Sequence, residues 1–407
     1  MPSSTSSSKP PGKAKRPDKP RPSGVLAHDG ALPAGLRLTA SSRPGQAQPV
    51  PTRDIPKQPW GRLALVALAA MLIGTALLEY NGRRLGLTAG DLDDSDTMWA
   101  IERARSAGAP VAIVGDSRIL FDTDLDRFQA LTGLRPVQMA IHGTSALTLL
   151  EDVASNPKFN GLLIVGLADT MFFQPFDGYG GYIHKRGQFE GPAKRISAEI
   201  DHVLQRRLAF LDANYRLSVY AARLDRDYRP GVKSPYHEIW KLEEPGEHRA
   251  THMWPRILTD TKLRAHARWA WDGFKEDFPY TPQLIAKGQA RAVTAVATIR
   301  ARGGEVVFIR PPSDIHLRVN EEAQVPKAKG WDMLLRNTHA VGIHNDDLPP
   351  AVRRLIMPEW SHLSRACATV FTDAYVRRLA ALTPRLKLRA DAPPPLTRDD
   401  CVPPNMR

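Results

Sequence analysis

Cysteine is almost absent from this chain: Cys367 and Cys401 are the only two in 407 residues. Two are too few for a fold held by a disulfide framework, and neither stands in a metal-ligand spacing. The sequence leaves open one bridge between them, in an oxidising compartment, or two free thiols. No internal repeat is present. No RNA- or DNA-binding motif is present either, although the formal net charge is +13. That charge is uneven. Residues 1–62 hold eleven Lys and Arg against three Asp, a net of +8, so the other 345 residues carry only +5. A basic tail inflates the total, and the folded part carries no nucleic-acid signature.

Residues 1–59 are rich in Pro, Ser, Lys and Arg and lack hydrophobic periodicity. They cannot bury enough apolar surface to offset chain entropy and are expected to be disordered. A single long apolar run follows. Leu63 to Leu78 spans sixteen positions without a charge, with Trp60 and Tyr80 at its ends where interfacial aromatics stand. With those flanks, residues 60–80 approach the ~20 residues a spanning helix needs. A cleaved signal peptide is the competing reading, disfavoured because the run starts about 60 residues in and lacks a clear small-x-small cleavage site. The positive-inside rule then places residues 1–59 in the cytoplasm and residues 81 onward outside.

From about residue 97 the pattern becomes α/β. Short apolar runs are expected as strands at 110–114, 137–141, 162–167, 305–310 and 340–343. Helices are expected at 97–107, 124–132, 146–154, 282–301 and 366–381. Alternation of this kind implies a doubly wound, mostly parallel sheet. It is interrupted over about 177–280 by a Gly/Tyr loop (Asp177 to Tyr182), helical stretches near 195–226, and a segment bearing Trp240, Trp254, Trp269 and Trp271. This reads as a helical insertion in a domain covering 81–383. Residues 384–407 read as a Pro-rich tail.

The organising stretch is Pro110-Val-Ala-Ile-Val-Gly-Asp-Ser-Arg118. A strand ends at Gly115, and Ser117 follows where an open parallel sheet binds ligands, outside the carboxyl ends of its strands. A serine nucleophile needs a base within hydrogen-bond reach, and that base needs a partner that fixes its tautomer. His362 lies in the loop before the last helix, with Glu359 three residues upstream and Ser364 as a candidate N-cap. Asp346 and Asp347 are alternative orienting acids. His142, His184, His316 and His344 show no metal-ligand spacing and read as surface or structural.

At these residues the chain resembles the SGNH (GDSL-like) hydrolase superfamily, over roughly 108–175 and 304–382. Gly115-Asp116-Ser117-Arg118 is similar to the first block of that family, which supplies the serine nucleophile and one backbone oxyanion donor. Gly143 matches the glycine of the second block, whose N–H is another donor. Glu359-Trp360-Ser361-His362 matches the Asp-x-x-His block with Glu in the Asp place. The run His362, Leu363, Ser364, Ala366, Phe371 and Thr372 also looks like the end of such domains.

The third block departs. It usually reads Gly-x-Asn-Asp, and here it is Gly166-Leu167-Ala168-Asp169, with Ala168 where an oxyanion-hole Asn is expected. Thr144 and Arg118 are candidate substitutes.

The resemblance implies a flavodoxin-like, SGNH-type fold. It implies catalysis by Ser117, His362 and Glu359, an oxyanion hole from the N–H groups of Ser117 and Gly143, and support from Asp116, Arg118 and Asp169. No metal or cofactor is implied. The anchor and outside domain resemble the subgroup acting on cell-envelope polymers, which includes alginate O-acetylation and teichoic-acid alanylation proteins. That implies an inner-membrane, single-pass protein with a periplasmic domain. The substrate would be a glycan or acyl ester, and the partners would be the membrane and a multi-span acyltransferase. The competing expectation is a weak or inactive module of the same fold that binds glycan or docks on such an acyltransferase.

Overall fold

The computed structural model describes residues 36–38, 49–51, 57–173, 179–187, 191–224, 240–272 and 280–402. Residues 1–71 and 72–407 form two compact units. In the first, Leu36–Leu38 pairs antiparallel with Pro49–Pro51 inside the stretch expected to be disordered, whose other residues up to 56 lie outside the described ones. Helix α1 (Trp60–Arg84) contains the whole apolar run and is exposed along most of it. Its most apolar eighteen residues have a mean hydropathy of 2.0. Its 25 residues reach about 38 Å, enough to cross a hydrocarbon core of about 30 Å. Among the described residues it is the one helix long and apolar enough to span a membrane, and a signal sequence meets the same description.

The second unit is built on five parallel strands: β1 (Val111–Gly115), β2 (Val137–Gln138), β3 (Leu162–Gly166), β4 (Glu305–Arg310) and β5 (Val341–His344). Their order is β2-β1-β3-β4-β5, all parallel, with Gly115 opposite Gly166 and Arg310 opposite His344. This is the doubly wound order whose switch point lies between β1 and β3. Both faces are covered, so β1 and β3 read as continuous apolar runs rather than alternating ones.

Alternate residues serve alternate faces. Ala112, Val114, Leu163, Val165 and Phe308 meet helices α2 (Asp96–Arg105), α5 (Ala146–Ser155) and α8 (Pro282–Ala301). Val111, Ile113, Ile164, Val307 and Ile309 meet α3 (Ser117–Phe121), α4 (Leu125–Thr132) and α11 (Arg365–Leu382). The short helix α6 (Asp169–Phe173) follows β3.

Several expectations change. The second strand is two residues long rather than five. The insertion is not purely helical. Beside helices Pro192–Gln205, Leu217–Leu224 and α7 (Thr261–Asp272) it contains an antiparallel pair, Glu243–Pro245 with Thr251–Met253. The expected Gly/Tyr loop is helical from Tyr179, while Asp177 and Gly178 lie outside the described residues. Two helices between β4 and β5, α9 (Ile315–Gln324) and α10 (Trp331–Thr338), were not expected.

The Pro-rich segment after 383 packs on the domain rather than trailing from it. Leu386 and Val402 are buried, and the carbonyls of Pro393 and Pro394 accept from Arg377 and Arg127. Cys367 and Cys401 are bridged, which settles the choice left open by the sequence and ties this segment to α11. The bridge closes a 34-residue separation. Cys401→Ser should lower unfolding free energy by about 2–4 kcal/mol, chiefly by freeing the unfolded chain. Urea denaturation of both proteins without reductant checks this, and equal midpoints would refute it.

Candidate active site

Two glycines seat the first site residue. At Gly115 (φ +153°) a Cβ would lie 2.3 Å from the Gly166 carbonyl oxygen and 2.4 Å from Ile119 Cγ2. At Gly166 a Cβ would lie 2.1 Å from Ile119 Cβ. Bare backbone at the ends of β1 and β3 therefore lets Ile119 pack down, and the first turn of α3 sits directly on the strand ends. Asp116 caps that turn. Its Oδ1 accepts from the Arg118 N–H at 3.0 Å, and its Oδ2 accepts from the Ala168 N–H at 2.6 Å. Burial pushes the Asp116 carboxyl up, against the opposing Arg118 charge and these two bonds. Ser117 opens α3, half-buried, where helix N–H groups have no partner within the helix.

The loop before α11 supplies the other two groups. His362 and Glu359 are fully buried. His362 Nε2 stands 2.8 Å from Ser117 Oγ, and His362 Nδ1 stands 3.0 Å from Glu359 Oε1. Glu359 Oε1 also accepts the His362 N–H at 2.6 Å. Glu359 Oε2 accepts from the Ser361 N–H at 3.4 Å and from Trp271 Nε1 on α7. Four donors thus surround one carboxyl group. The loop turns through Trp360 at φ +79°, a conformation costly for a non-glycine residue. The Leu363 N–H bond to Asp122 Oδ1 at 2.8 Å pins it, as does the Asp314 N–H bond to the Trp360 carbonyl at 2.9 Å. Phe121 and Trp271 wall the imidazole, with ring centroids 4.5 and 5.7 Å away. Ser364 occupies the N-cap position of α11 without a side-chain capping bond.

Gly143 reaches the same edge. Beyond β2 the backbone keeps pairing with β1: the Met139 N–H bonds the Ile113 carbonyl at 2.8 Å and the Ile141 N–H bonds the Gly115 carbonyl at 3.0 Å. Two residues later Gly143 turns at φ +63°, and a Cβ there would meet open space.

Behind the serine lies a buried charge cluster. Arg118 donates from Nε to Ser361 Oγ at 3.3 Å and from Nη2 to Glu321 on α9. Arg310, at the end of β4, donates to Glu321 at 2.6 Å and to Asp169 at 3.0 Å. Burial alone would raise the Glu321 carboxyl, but the charges of Arg118 and Arg310 overcome it and hold the group at about 2. Among the described residues, the buried atoms without a hydrogen-bond partner include Arg118 Nη1 and Asp169 Oδ1 in this cluster, Asp122 Oδ2 beneath the His362 loop, and Thr144 Oγ1 next to Gly143.

The structure thus brings together Ser117, His362 and Glu359, with Asp116 and Arg118 beside them. Asp169 is committed to Arg310, and the Ala168 N–H to Asp116, so neither is directed at the serine. The alternative acids stand elsewhere. Asp346 pairs with Arg318, and Asp347 accepts the His344 N–H. Trp271 and Glu321 were not singled out as site residues from sequence. No local signal marks either, because each reaches the site from a distant helix. Among the described residues no three His, Cys, Asp or Glu side chains converge as a metal-holding group. Comparisons of the chain with family models, with curated proteins and with solved structures give no match, so the reading of the site rests on its own geometry.

Proposed function

We propose that this chain is an SGNH-type serine esterase or O-acyltransferase that acts on an O-acetylated cell-envelope or exported polysaccharide. One observation carries the reading: a hydrogen-bonded Ser117–His362–Glu359 chain at the carboxyl edge of a doubly wound sheet, beside its switch point. Glu359 accepting from Nδ1 leaves the Nε2 lone pair facing Ser117. Ser117 Oγ attacks an ester carbonyl as its proton passes to Nε2. The same proton goes to the departing alkoxide as the ester C–O bond breaks. Water or a sugar hydroxyl then attacks the acyl carbon as its proton passes to Nε2, and that proton goes to Ser117 Oγ as the acyl–Oγ bond breaks. The N–H groups of Ser117 and Gly143 hold the oxyanion. Thr144 and Arg118 remain the candidates for the place of the missing Asn; their unpartnered atoms, Thr144 Oγ1 and Arg118 Nη1, are buried.

In this reading α1 is a single-pass anchor of the inner membrane, with the N-terminus cytoplasmic and the domain periplasmic. The basic residues before α1 and the Cys367–Cys401 bridge support that orientation. A multi-span membrane acyltransferase is the partner expected to supply acyl groups. Ala168 favours a second reading, a weak or inactive module that binds glycan, since one lost oxyanion donor costs about 10²–10³ in rate.

Fluorophosphonate labelling of the full chain, with release of a chromogenic leaving group from an acetyl ester, separates the two. Labelling and turnover that vanish in Ser117→Ala, and turnover that vanishes in His362→Ala, support the enzyme. Folded wild type that neither labels nor turns over supports the module. Trp271→Phe removes one donor to a buried carboxyl group while keeping an aromatic ring. It should lower kcat by about tenfold to a hundredfold, the worth of a hydrogen bond to a charged group. An unchanged kcat would remove Trp271 from the site.

A further inference from the structure

Helix Pro192–Gln205 is built inside out. Its polar residues His202 and Gln205 are buried, and its apolar residues face solvent. Ile196, Ile200, Val203 and Leu204 are 58, 55, 50 and 45% exposed. Their spacing of i, i+4, i+7 and i+8 puts them on one stripe, running about 12 Å along the axis. A soluble helix buries such a stripe. Lys194 and Arg195 precede it, and Arg206 and Arg207 follow it.

The buried polar face holds the chain that leaves α1. The Gly90 N–H bonds the Gln205 carbonyl at 2.8 Å, the Asp93 N–H bonds Gln205 Oε1 at 2.9 Å, and His202 Nε2 meets the Asp93 carbonyl at 3.1 Å. Just past the helix, the Phe210 N–H bonds Glu79 Oε2 at 3.2 Å, and Phe210 backbone lies against Gly82 on the last turn of α1. The exposed stripe is therefore fastened to the end of the apolar helix. These contacts keep the helix close to the C-terminal end of α1.

We infer that helix Pro192–Gln205 is a second membrane contact, lying in the interface of an anionic phospholipid bilayer with Ile196, Ile200, Val203 and Leu204 among the acyl chains. Of the flanking basic residues, Lys194 pairs with Asp96, Arg195 with Glu199 and Arg206 with Glu247; these are surface pairs worth little, and their cations stand at the two ends of the stripe, where an interfacial helix meets anionic headgroups. The inference rests on the reading of α1 as an anchor. It adds that the domain is held at a fixed orientation to the membrane rather than tethered loosely.

The test uses the full chain in vesicles of phosphatidylethanolamine and phosphatidylglycerol. Ile200→Cys is labelled with an environment-sensitive fluorophore under non-reducing conditions, the Cys367–Cys401 bridge being left intact. Val319→Cys, 63% exposed on α9, is the control. With a nitroxide placed shallow in the lipid acyl chains, position 200 should be quenched about twofold or more, as insertion of 5–10 Å requires, and position 319 far less. Equal quenching at both positions overturns the inference. So does a label already shielded without lipid in a concentration-dependent way, which assigns the stripe to a second copy. Flotation of the vesicles through alkaline carbonate reads the anchor separately. Protein that floats while position 200 stays unquenched refutes the docking and keeps the anchor. Protein that does not float refutes the anchor reading.

Discussion

On the proposed esterase reading, Glu359→Gln should lower ester turnover by about 10⁴-fold, the loss expected when the orienting acid of a Ser-His-acid triad becomes an amide. The arrangement of donors gives the reason. Two of them, the His362 N–H and Nδ1, face Oε1, while the Ser361 N–H and Trp271 Nε1 face Oε2. A carboxylate can accept from all four; an amide has one oxygen and one NH₂. If the oxygen takes the Oε1 place, the NH₂ meets two donors at Oε2. If the NH₂ takes the Oε1 place, it faces Nδ1 and drives the imidazole to the other tautomer. Nε2 then carries the proton and cannot take one from Ser117. Neither orientation satisfies the pocket, so some stability is lost along with the rate. Steady-state release of a chromogenic alkoxide, with circular dichroism to verify the fold, measures both. A loss below about tenfold would show that Glu359 does not orient the base.

What the sequence makes legible is the part of the site built from single chain segments. β1 and β3 stand out because both of their faces are buried, and Gly115 and Gly166 stand out because they interrupt those runs. Ser117 and His362 each sit at an element edge that apolar patterning locates. What stays hidden comes from helices whose pattern is turned around. On α9 Ile315 and Val319 face solvent while Glu321 is buried, so the charge that matters sits where periodicity predicts surface. Trp271 is one of several aromatics in the insertion, and nothing local says that its N–H reaches a carboxyl group 88 residues away. The segment after 383 lacks periodicity because much of its attachment is through proline carbonyls held by Arg127 and Arg377 and through the Cys401 bridge.

Glu321→Gln should destabilise the domain by about 3–5 kcal/mol, the usual result of removing one partner from a buried ionic cluster. Arg118, Arg310, Glu321 and Asp169 are all buried and joined by ion pairs, with Glu321 shared by the two arginines. The substitution takes from both guanidinium groups the carboxylate they share, leaving Arg310 with Asp169 and Arg118 with the neighbouring Asp116, and little water to compensate.

The pH dependence of the loss identifies the cause. Glu321 has its folded value depressed from the ordinary 4.5 to about 2, which corresponds to about 3 kcal/mol of stability. A depressed acid stabilises fully above its unfolded value and loses that contribution as pH falls through its folded value. The gap between wild type and Glu321→Gln should therefore be constant from pH 7 to about 5, narrow below about 4.5 and close towards 2. Urea denaturation at a series of pH values, taken as the difference between the two proteins, cancels the other acidic groups. A gap that persists unchanged at low pH would make Glu321 a packing residue rather than a charge partner. Turnover should fall as well, because Arg118 follows Ser117 directly and holds Ser361 in the loop that carries His362. A guanidinium released from Glu321 is free to reorient, and Ser117 and the His362 loop then lose the same support at once.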